Sequence, residues 1–203
     1  MYIVGLNGSP NKEGNTHYLL RQVLDICKSK GARTEIVHAG EAVDSAQWPF
    51  CTVCSAPCSG KCFENTELEK VYDKLKEADG VLIGSPVYFG SVSAQLKAFF
   101  DKTRKSRGEK AFVNLAGAAV TVGASKYGGQ ETTIKAIHDM MLVQGMIIVG
   151  DGHVDYDAGH HGVSAQRPAE NDLHAVKRIP VLAERIVEVA KAIKDAGLRV
   201  RKE

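Results

Sequence analysis

Residues 80–101 run Gly80-Val81-Leu82-Ile83-Gly84-Ser85-Pro86-Val87-Tyr88-Phe89-Gly90-Ser91-Val92-Ser93-Ala94-Gln95-Leu96-Lys97-Ala98-Phe99-Phe100-Asp101. Gly80 to Ile83 is an apolar run of strand length, stopped by Gly84-Ser85-Pro86. Ala94, Leu96, Phe99 and Phe100 form the apolar side of a helix, whose free first-turn N–H groups a hydroxyl of Ser91 or Ser93 can cap. Between them lies a loop with two adjacent aromatics among glycines. A buried strand leading through a short loop into a helix is the repeating unit of a parallel sheet.

Outward from this unit the alternation repeats. Tyr2 to Leu6 is an apolar run closed by Asn7-Gly8-Ser9-Pro10, and Leu20, Val23, Leu24 and Cys27 follow at helical spacing as far as Gly31. Thr34 to Val37 predicts a second strand. Ala39 to Asn65 has no clear period, and then Leu68, Val71, Tyr72 and Leu75 stripe a helix. Phe112 to Val122 holds a fourth strand, apolar almost throughout as a central parallel strand is. Gly128-Gly129 opens a helix carrying Ile134, Ile137 and Met141, and Met146 to Val149 is the fifth strand. A loop rich in His and Asp runs to about Glu170, before a long amphipathic helix through Val181, Leu182, Ile186, Val189 and Ile193. Five strands separated by helices predict an α/β fold, a doubly wound parallel sheet covered on both faces. Residues 1–203 read as one domain, without repeat or linker.

The chain has 203 residues, 44% hydrophobic and 25% charged, which are ordinary globular proportions. A net charge of +2 and the lack of a basic block leave no electrostatic footprint for nucleic acid. The densest basic stretch, Lys102 to Arg107 with Lys110, reads as a solvated helix end, where cations complement the dipole. The N-terminus lacks the charged head and apolar run of a signal peptide, and no window reaches the roughly 18 apolar residues of a membrane span. A cytoplasmic protein without a membrane partner is expected. In that compartment, four cysteines within residues 51–62 point to metal or redox chemistry rather than structural disulfides.

In an open parallel sheet, ligands sit beyond the carboxyl ends of the strands. Three loops at such ends are informative. The first, Gly8-Ser9-Pro10-Asn11-Lys12-Glu13-Gly14-Asn15-Thr16, enters a helix directly, so free N–H groups with the hydroxyls of Ser9 and Thr16 form a phosphate cradle. It is neither a Walker loop nor a dinucleotide fingerprint, and without a strong cation it suits one terminal phosphate. The second holds Pro86, Val87, Tyr88, Phe89 and Gly90, whose aromatics either flank a flat ring or pack on the next helix. The third, Gly123-Ala124-Ser125-Lys126-Tyr127-Gly128-Gly129-Gln130-Glu131, has paired glycines that let backbone approach a ligand. Together the loops describe a site for a mononucleotide with a planar head.

Gly8 to Thr16, Ser85 to Asp101 and Tyr127 to Glu131 resemble the NAD(P)H-dependent FMN reductase group of flavodoxin-like proteins, and within it the iron–sulfur flavoproteins. The resemblance covers nearly the whole chain. It implies a five-stranded flavodoxin-like sheet in the order 2-1-3-4-5. FMN phosphate is expected on Ser9, Asn15 and Thr16, with Pro10, Asn11 and Gly14 in the same loop. The ring is expected against Pro86 to Gly90 and Tyr127 to Gly129, with Gly123 and Lys126 beside it. Family members assemble as homodimers or homotetramers, with the flavin near a subunit interface.

The cysteines follow the pattern Cys51-x2-Cys54-x3-Cys58-x3-Cys62, in a loop after strand two. Pro57 and Ser59-Gly60 supply bends that could turn the sulfurs inward. Four thiolates are the ligand set of a [4Fe–4S] cluster. Zinc ribbons separate their cysteine pairs more widely, so zinc is strained here, and free or redox-paired thiols are the third reading. The family's motif has two residues between its second and third cysteines, where this chain has three. Cys27 lies on an apolar helical stripe and reads as a core residue.

Asp151, His153, Asp155, Asp157, His160 and His161 match neither a calcium loop nor a two-histidine zinc helix, and read as a polar loop near the flavin or a subunit contact. His38, His138 and His174 take no role, and no nucleophile elbow is present. The expected activity is electron transfer through FMN, from NAD(P)H or a ferredoxin to a small acceptor such as a quinone or flavin, with no obligatory side-chain acid or base. The alternatives are a non-enzymatic electron carrier and a thiol or zinc sensor.

Overall fold

The order of elements follows the alternation of the sequence. In the computed structural model these are β1 (Tyr2–Asn7), α1 (Asn15–Ser29), β2 (Arg33–His38), α2 (Ala39–Asp44), α3 (Glu67–Glu77), β3 (Gly80–Pro86), α4 (Ala94–Asp101) and α5 (Arg104–Gly108). There follow β4 (Ala116–Gly123), α6 (Gln130–Val143), β5 (Ile147–Val149), β6 (Val163–Gln166) and α7 (Leu173–Asp195). Residues 1–199 are described; residues 200–203, the end of the expected domain, lie outside the described residues. No helix among the described residues is long and apolar enough to cross a membrane.

The sheet is parallel and runs β2-β1-β3-β4-β5, the expected order. Side chains alternate across it as the two-residue strand period requires. Ile3 and Leu82 face α1 and α7, joining Leu20, Val23, Leu24, Ile179 and Ile186. Tyr2, Val4, Leu6, Val81 and Ile83 face the other layer, with Leu68, Tyr72, Phe99 and Ile137. β4 is buried along its whole length and is built largely from Ala and Gly. The small residues admit the flanking helices closely: a Cβ on Gly117 would stand 2.9 Å from Met141 Sδ. Cys27 is a core thiol, as expected. Its Sγ donates to the Ala183 carbonyl at 3.8 Å, and burial pushes its pKa up to about 12.

The far edge differs from expectation. The stretch read as loop between the fifth strand and Glu170 contains β6, which pairs in parallel with Val120–Gly123 while β5 pairs with Ala116–Ala118. The fifth position of the sheet is thus split into two short strands, with residues 150–162 leaving and returning between them. Val163 and Ala165 are buried in the core, and Gly162 passes so close to the Ala119 carbonyl that a Cβ would lie 2.4 Å from its oxygen. Asp151 anchors the excursion: fully buried, it accepts Arg178 Nε at 2.7 Å, while Arg178 Nη1 donates to Asp157 at 2.8 Å.

Candidate functional site

Loop one is pinned to the strand beside it. The Gly8 N–H donates to the Gly84 carbonyl at 2.8 Å, and the Ser93 hydroxyl donates to the Gly8 carbonyl. A Cβ on Gly8 would stand 2.8 Å from both the Gly84 oxygen and Leu96 Cβ, so glycine is required by space. Buried Asn7 accepts the Ser9 N–H at 2.9 Å, and Ser9 Oγ accepts the Asn11 N–H at 3.1 Å. These short-range bonds fold residues 7–14 back toward α1. The helix then starts at Asn15 with Gly14 as its N-cap, no side-chain cap and no acidic residue in its first turn. Such an end presents uncapped N–H groups and the positive end of the dipole, which favours an anion. Thr16 is buried with its methyl against Gly84; Asn15 Oδ1 accepts the Ala169 N–H at 2.7 Å.

Loop two leaves β3 in register, since the Val87 N–H donates to the Val122 carbonyl at 2.9 Å. Tyr88 and Ser91 then bond to each other across a tight turn, at 2.9 and 3.1 Å, with Phe89 at φ +51° and Gly90 at φ +75°. Of the two fates open to the aromatics, packing on the next helix is not the one adopted. Phe89 is fully exposed and Tyr88 is exposed as well. A left-handed aromatic projecting into solvent is a strained arrangement of the kind that clusters at ligand sites.

Loop three meets loop two directly. Thr132 Oγ1 donates to the Gly90 carbonyl at 2.8 Å, and a Cβ on Gly129 (φ +98°) would lie 2.9 Å from Gly90 Cα and 3.3 Å from Val87 Cγ1. Gln130 stiffens the loop from beneath: its Oε1 accepts the Gly128 N–H at 2.9 Å and its Nε2 donates to the Ser125 carbonyl at 2.6 Å. Its amide fills the space beside Gly123, where a Cβ would be 2.5 Å from Nε2. Tyr127 is exposed over 92% of its surface, and Lys126 Nζ lies 5.8 Å from its ring centroid.

The three loops therefore form one continuous rim at the carboxyl edge of β1, β3 and β4, with loop one bonded to β3 and loop three to loop two. Glycines line it and Tyr88, Phe89 and Tyr127 stand exposed above it. Ser93 caps α4 as the sequence allowed, accepting the Leu96 N–H at 3.1 Å; reading the sequence missed that Asn7, Gln130 and Thr132 hold the loops rather than face the rim. Asn7 alone had a signal, as the polar residue ending an apolar strand. His17 and His38 stand beside loop one with parallel rings, centroids 6.1 Å apart. Burial, then the neighbouring His17 and Lys12, lower the pKa of His38.

The cysteine loop follows β2 by way of α2 and settles against the junction where α4 ends and α5 begins. The Gln47 N–H donates to the Cys62 carbonyl at 2.9 Å, closing the loop at its base. All five cysteines are free. Burial pushes the Tyr72 hydroxyl well above its ordinary pKa, and the charges of Cys62, Cys51, Cys58 and Asp101 push the same way. Among the described residues, no three His, Cys, Asp or Glu side chains are gathered closely enough to hold one metal ion. The basic stretch beside the loop is solvated at Arg107 and Lys110, as expected, and departs from that reading at Lys102. Lys102 is only 2% exposed, and its Nζ lies 3.6 Å from Cys62 Sγ, because the cysteine loop folds across it.

Residues 1–161 match the family model described as NADPH-dependent FMN reductase. An iron–sulfur flavoprotein of Methanocaldococcus jannaschii is 40% identical over 197 residues, covering 96% of this chain and all of that one. An NAD(P)H dehydrogenase (quinone) of Archaeoglobus fulgidus is 30% identical over 186 residues, covering 89% of this chain and 93% of that one. Among solved structures, RosB with a bound formylated riboflavin phosphate intermediate superposes with a TM-score of 0.74, at 13% identity, over 96% of this chain and 81% of RosB. That likeness shows a shared fold.

Proposed function

The chain belongs to the NADPH-dependent FMN reductase family, and from that premise we propose that it is an FMN-dependent oxidoreductase. It moves electrons from NAD(P)H or a ferredoxin to a small acceptor such as a quinone or a flavin. The observation that carries this reading is the single rim made by three loops distant in sequence, lined by glycines and edged by exposed aromatics. Bound FMN supplies a ring that exchanges electrons singly or in pairs. The uncapped end of α1, with Ser9, Asn15 and Thr16, would hold the phosphate, and Pro10, Asn11 and Gly14 shape that loop. Pro86, Val87, Tyr88, Phe89 and Gly90 would hold the ring together with Gly123, Lys126, Tyr127, Gly128 and Gly129. The exposed aromatics exclude water and supply an apolar patch through which subunits pair as a homodimer or homotetramer.

Cys51, Cys54, Cys58 and Cys62 hold a [4Fe–4S] cluster as a relay in this reading. Support comes from the four-thiol donor set, the buried cation beside Cys62, and the iron–sulfur flavoprotein relative. A second reading keeps the thiols as a redox or zinc sensor; all of them are free, as a reversible thiol switch requires. One experiment separates them: an anaerobic absorption spectrum of purified protein, with FMN, iron, sulfide and zinc assayed on the same sample. Flavin bands together with iron and sulfide in equal amounts are expected. Zinc without sulfide sinks the relay, and a colourless protein that takes up no added FMN sinks the oxidoreductase. Oxidation of NADH or NADPH with a quinone as acceptor then distinguishes an enzyme from a carrier.

A further inference from the structure

Asn7 and His38 end β1 and β2 at their carboxyl side and are partners in the parallel register. Asn7 is fully buried, and its amide orientation is fixed because Oδ1 accepts the Ser9 N–H at 2.9 Å. The remaining group, Nδ2, can only donate. It reaches the Lys12 carbonyl at 3.4 Å and His38 Nδ1 at 3.3 Å. His38 Nδ1 is therefore the acceptor of that contact, and the ring is neutral with its proton on Nε2. An imidazolium would aim an N–H at the amide NH2, and two donors cannot share one contact. The surroundings favour the neutral ring as well. His17, on the first turn of α1, lies parallel to it with centroids 6.1 Å apart. Lys12 of loop one is a second neighbour, its ammonium paired with Glu41 of α2. From α4, the uncharged Gln95 packs over Gly40, two residues on. Burial first, then His17 and Lys12, hold the His38 pKa below the ordinary 6.5, and among the described residues no carboxylate opposes them.

We propose that His38 is a positioning residue of the flavin phosphate loop. Its neutral ring, acting through Asn7, holds residues 9–12 in the shape that receives the phosphate, and protonation of the ring releases them. This rests on the reading of Ser9, Asn15 and Thr16 as the phosphate site. The chain of contacts is short: His38 accepts from Asn7, Asn7 accepts from Ser9, and Ser9 Oγ accepts the Asn11 N–H at 3.1 Å. A protonated His38 drives Nδ2 of Asn7 away from the ring. The amide cannot answer by turning over, since Nδ2 would then face the Ser9 N–H. Because the folded loop favours the neutral ring, FMN binding is full above the ordinary histidine range and weakens as pH falls below it. A histidine that met the phosphate directly as a cation would strengthen binding over the same range.

The test measures the affinity of apoprotein for FMN and for riboflavin, by quenching of flavin fluorescence between about pH 8 and pH 5. Wild type is compared with His38→Asn, whose Oδ1 can accept from Asn7 and does not titrate. Acidification should weaken FMN binding by wild type roughly three- to tenfold more than by His38→Asn, the worth of one hydrogen bond. Titration of the FMN phosphate itself is common to both proteins and cancels. Riboflavin, which has no phosphate, should follow pH alike in the two. Equal FMN profiles, or wild-type binding that tightens in acid, overturn the role of His38 and leave the phosphate reading intact. Wild-type protein that binds riboflavin as tightly as FMN overturns the phosphate reading, and this proposal with it. If His38→Asn fails to fold, 15N NMR of wild-type protein decides. The His38 ring should carry its proton on Nε2 at about pH 8. Its titration should move the Asn7 side-chain amide and the Ser9 N–H with one shared midpoint. A proton on Nδ1, or a Ser9 signal that ignores the titration, overturns the proposal.

Discussion

Asn15 Oδ1 accepts the backbone N–H of Ala169 at 2.7 Å, which ties the first residue of α1 to the segment that leads into α7. The bond orients the side-chain amide, so Nδ2 remains as the donor at the uncapped helix end.

Replacing Asn15 by Asp keeps the acceptor for Ala169 but puts a negative charge where a phosphate is proposed to sit. FMN affinity should fall by at least the worth of one hydrogen bond to a charged group, about 1.5–3 kcal/mol, or roughly ten- to a hundredfold. Quenching of FMN fluorescence by apoprotein measures it. An Asn15→Asp protein with undiminished affinity would remove Asn15 from the phosphate site.

Gly129 and Gly31 both have positive φ, at +98° and +87°, but only Gly129 is crowded by Gly90; nothing lies within 4 Å of a Cβ on Gly31. Gly31→Ala should therefore cost only backbone strain, about 1 kcal/mol of stability, and leave FMN binding alone. Gly129→Ala should weaken both stability and FMN binding, since loops two and three must separate. Urea titration and FMN titration on the pair test this, and equal FMN affinities would contradict it.

Asp172 is the N-cap of α7 and accepts the N–H groups of Ala175 at 3.1 Å and Gln166 at 2.8 Å. Burial pushes its pKa up, but the bonds from Gln166, Ala175 and His174 outweigh this and hold it below the ordinary 3.8. The folded value is the lower one, so this stabilisation is present above the ordinary carboxylate range and lost as pH falls through the folded value. Asp172→Asn should cost about 1 kcal/mol at neutral pH as a weakened cap. Its difference from wild type should shrink as pH is lowered through that range, read from urea midpoints at pH 7 and pH 3. A difference that stays constant would exclude the linkage.

Arg178→Met leaves Asp151 buried without its cation, a change that typically costs about 3–5 kcal/mol. The double variant Asp151→Asn/Arg178→Met should recover part of the loss, because no buried charge remains. Chemical denaturation of the three proteins checks the order; a double variant no better than Arg178→Met would show that the lost packing, not the charge, dominates.

The sheet was legible because β1, β3 and β4 are continuous apolar runs ended by Gly, Ser or Pro. β6 was not. Val163 and Ala165 are its only apolar side chains, and its extended shape comes from pairing with Val120–Gly123, a contact invisible to local pattern. The loops of the rim stood out by composition, yet the exposure of Phe89 and the contact of Gly129 with Gly90 depend on how helices place them. Lys102 was misread for a similar reason. In a run of basic residues a lysine looks solvated, and its burial is decided by Cys62, 40 positions away.

The divided far edge also bears on self-association. An exposed strand edge invites another chain to extend the ladder. Here the outermost position offers segments of three and four residues, Ile147–Val149 and Val163–Gln166, with a buttressed outward excursion between them. An incoming strand finds no unbroken row of amides and carbonyls to pair with. The flank of the molecule farthest from β2 is in this way guarded against end-on growth into filaments, by backbone interruption rather than by charge.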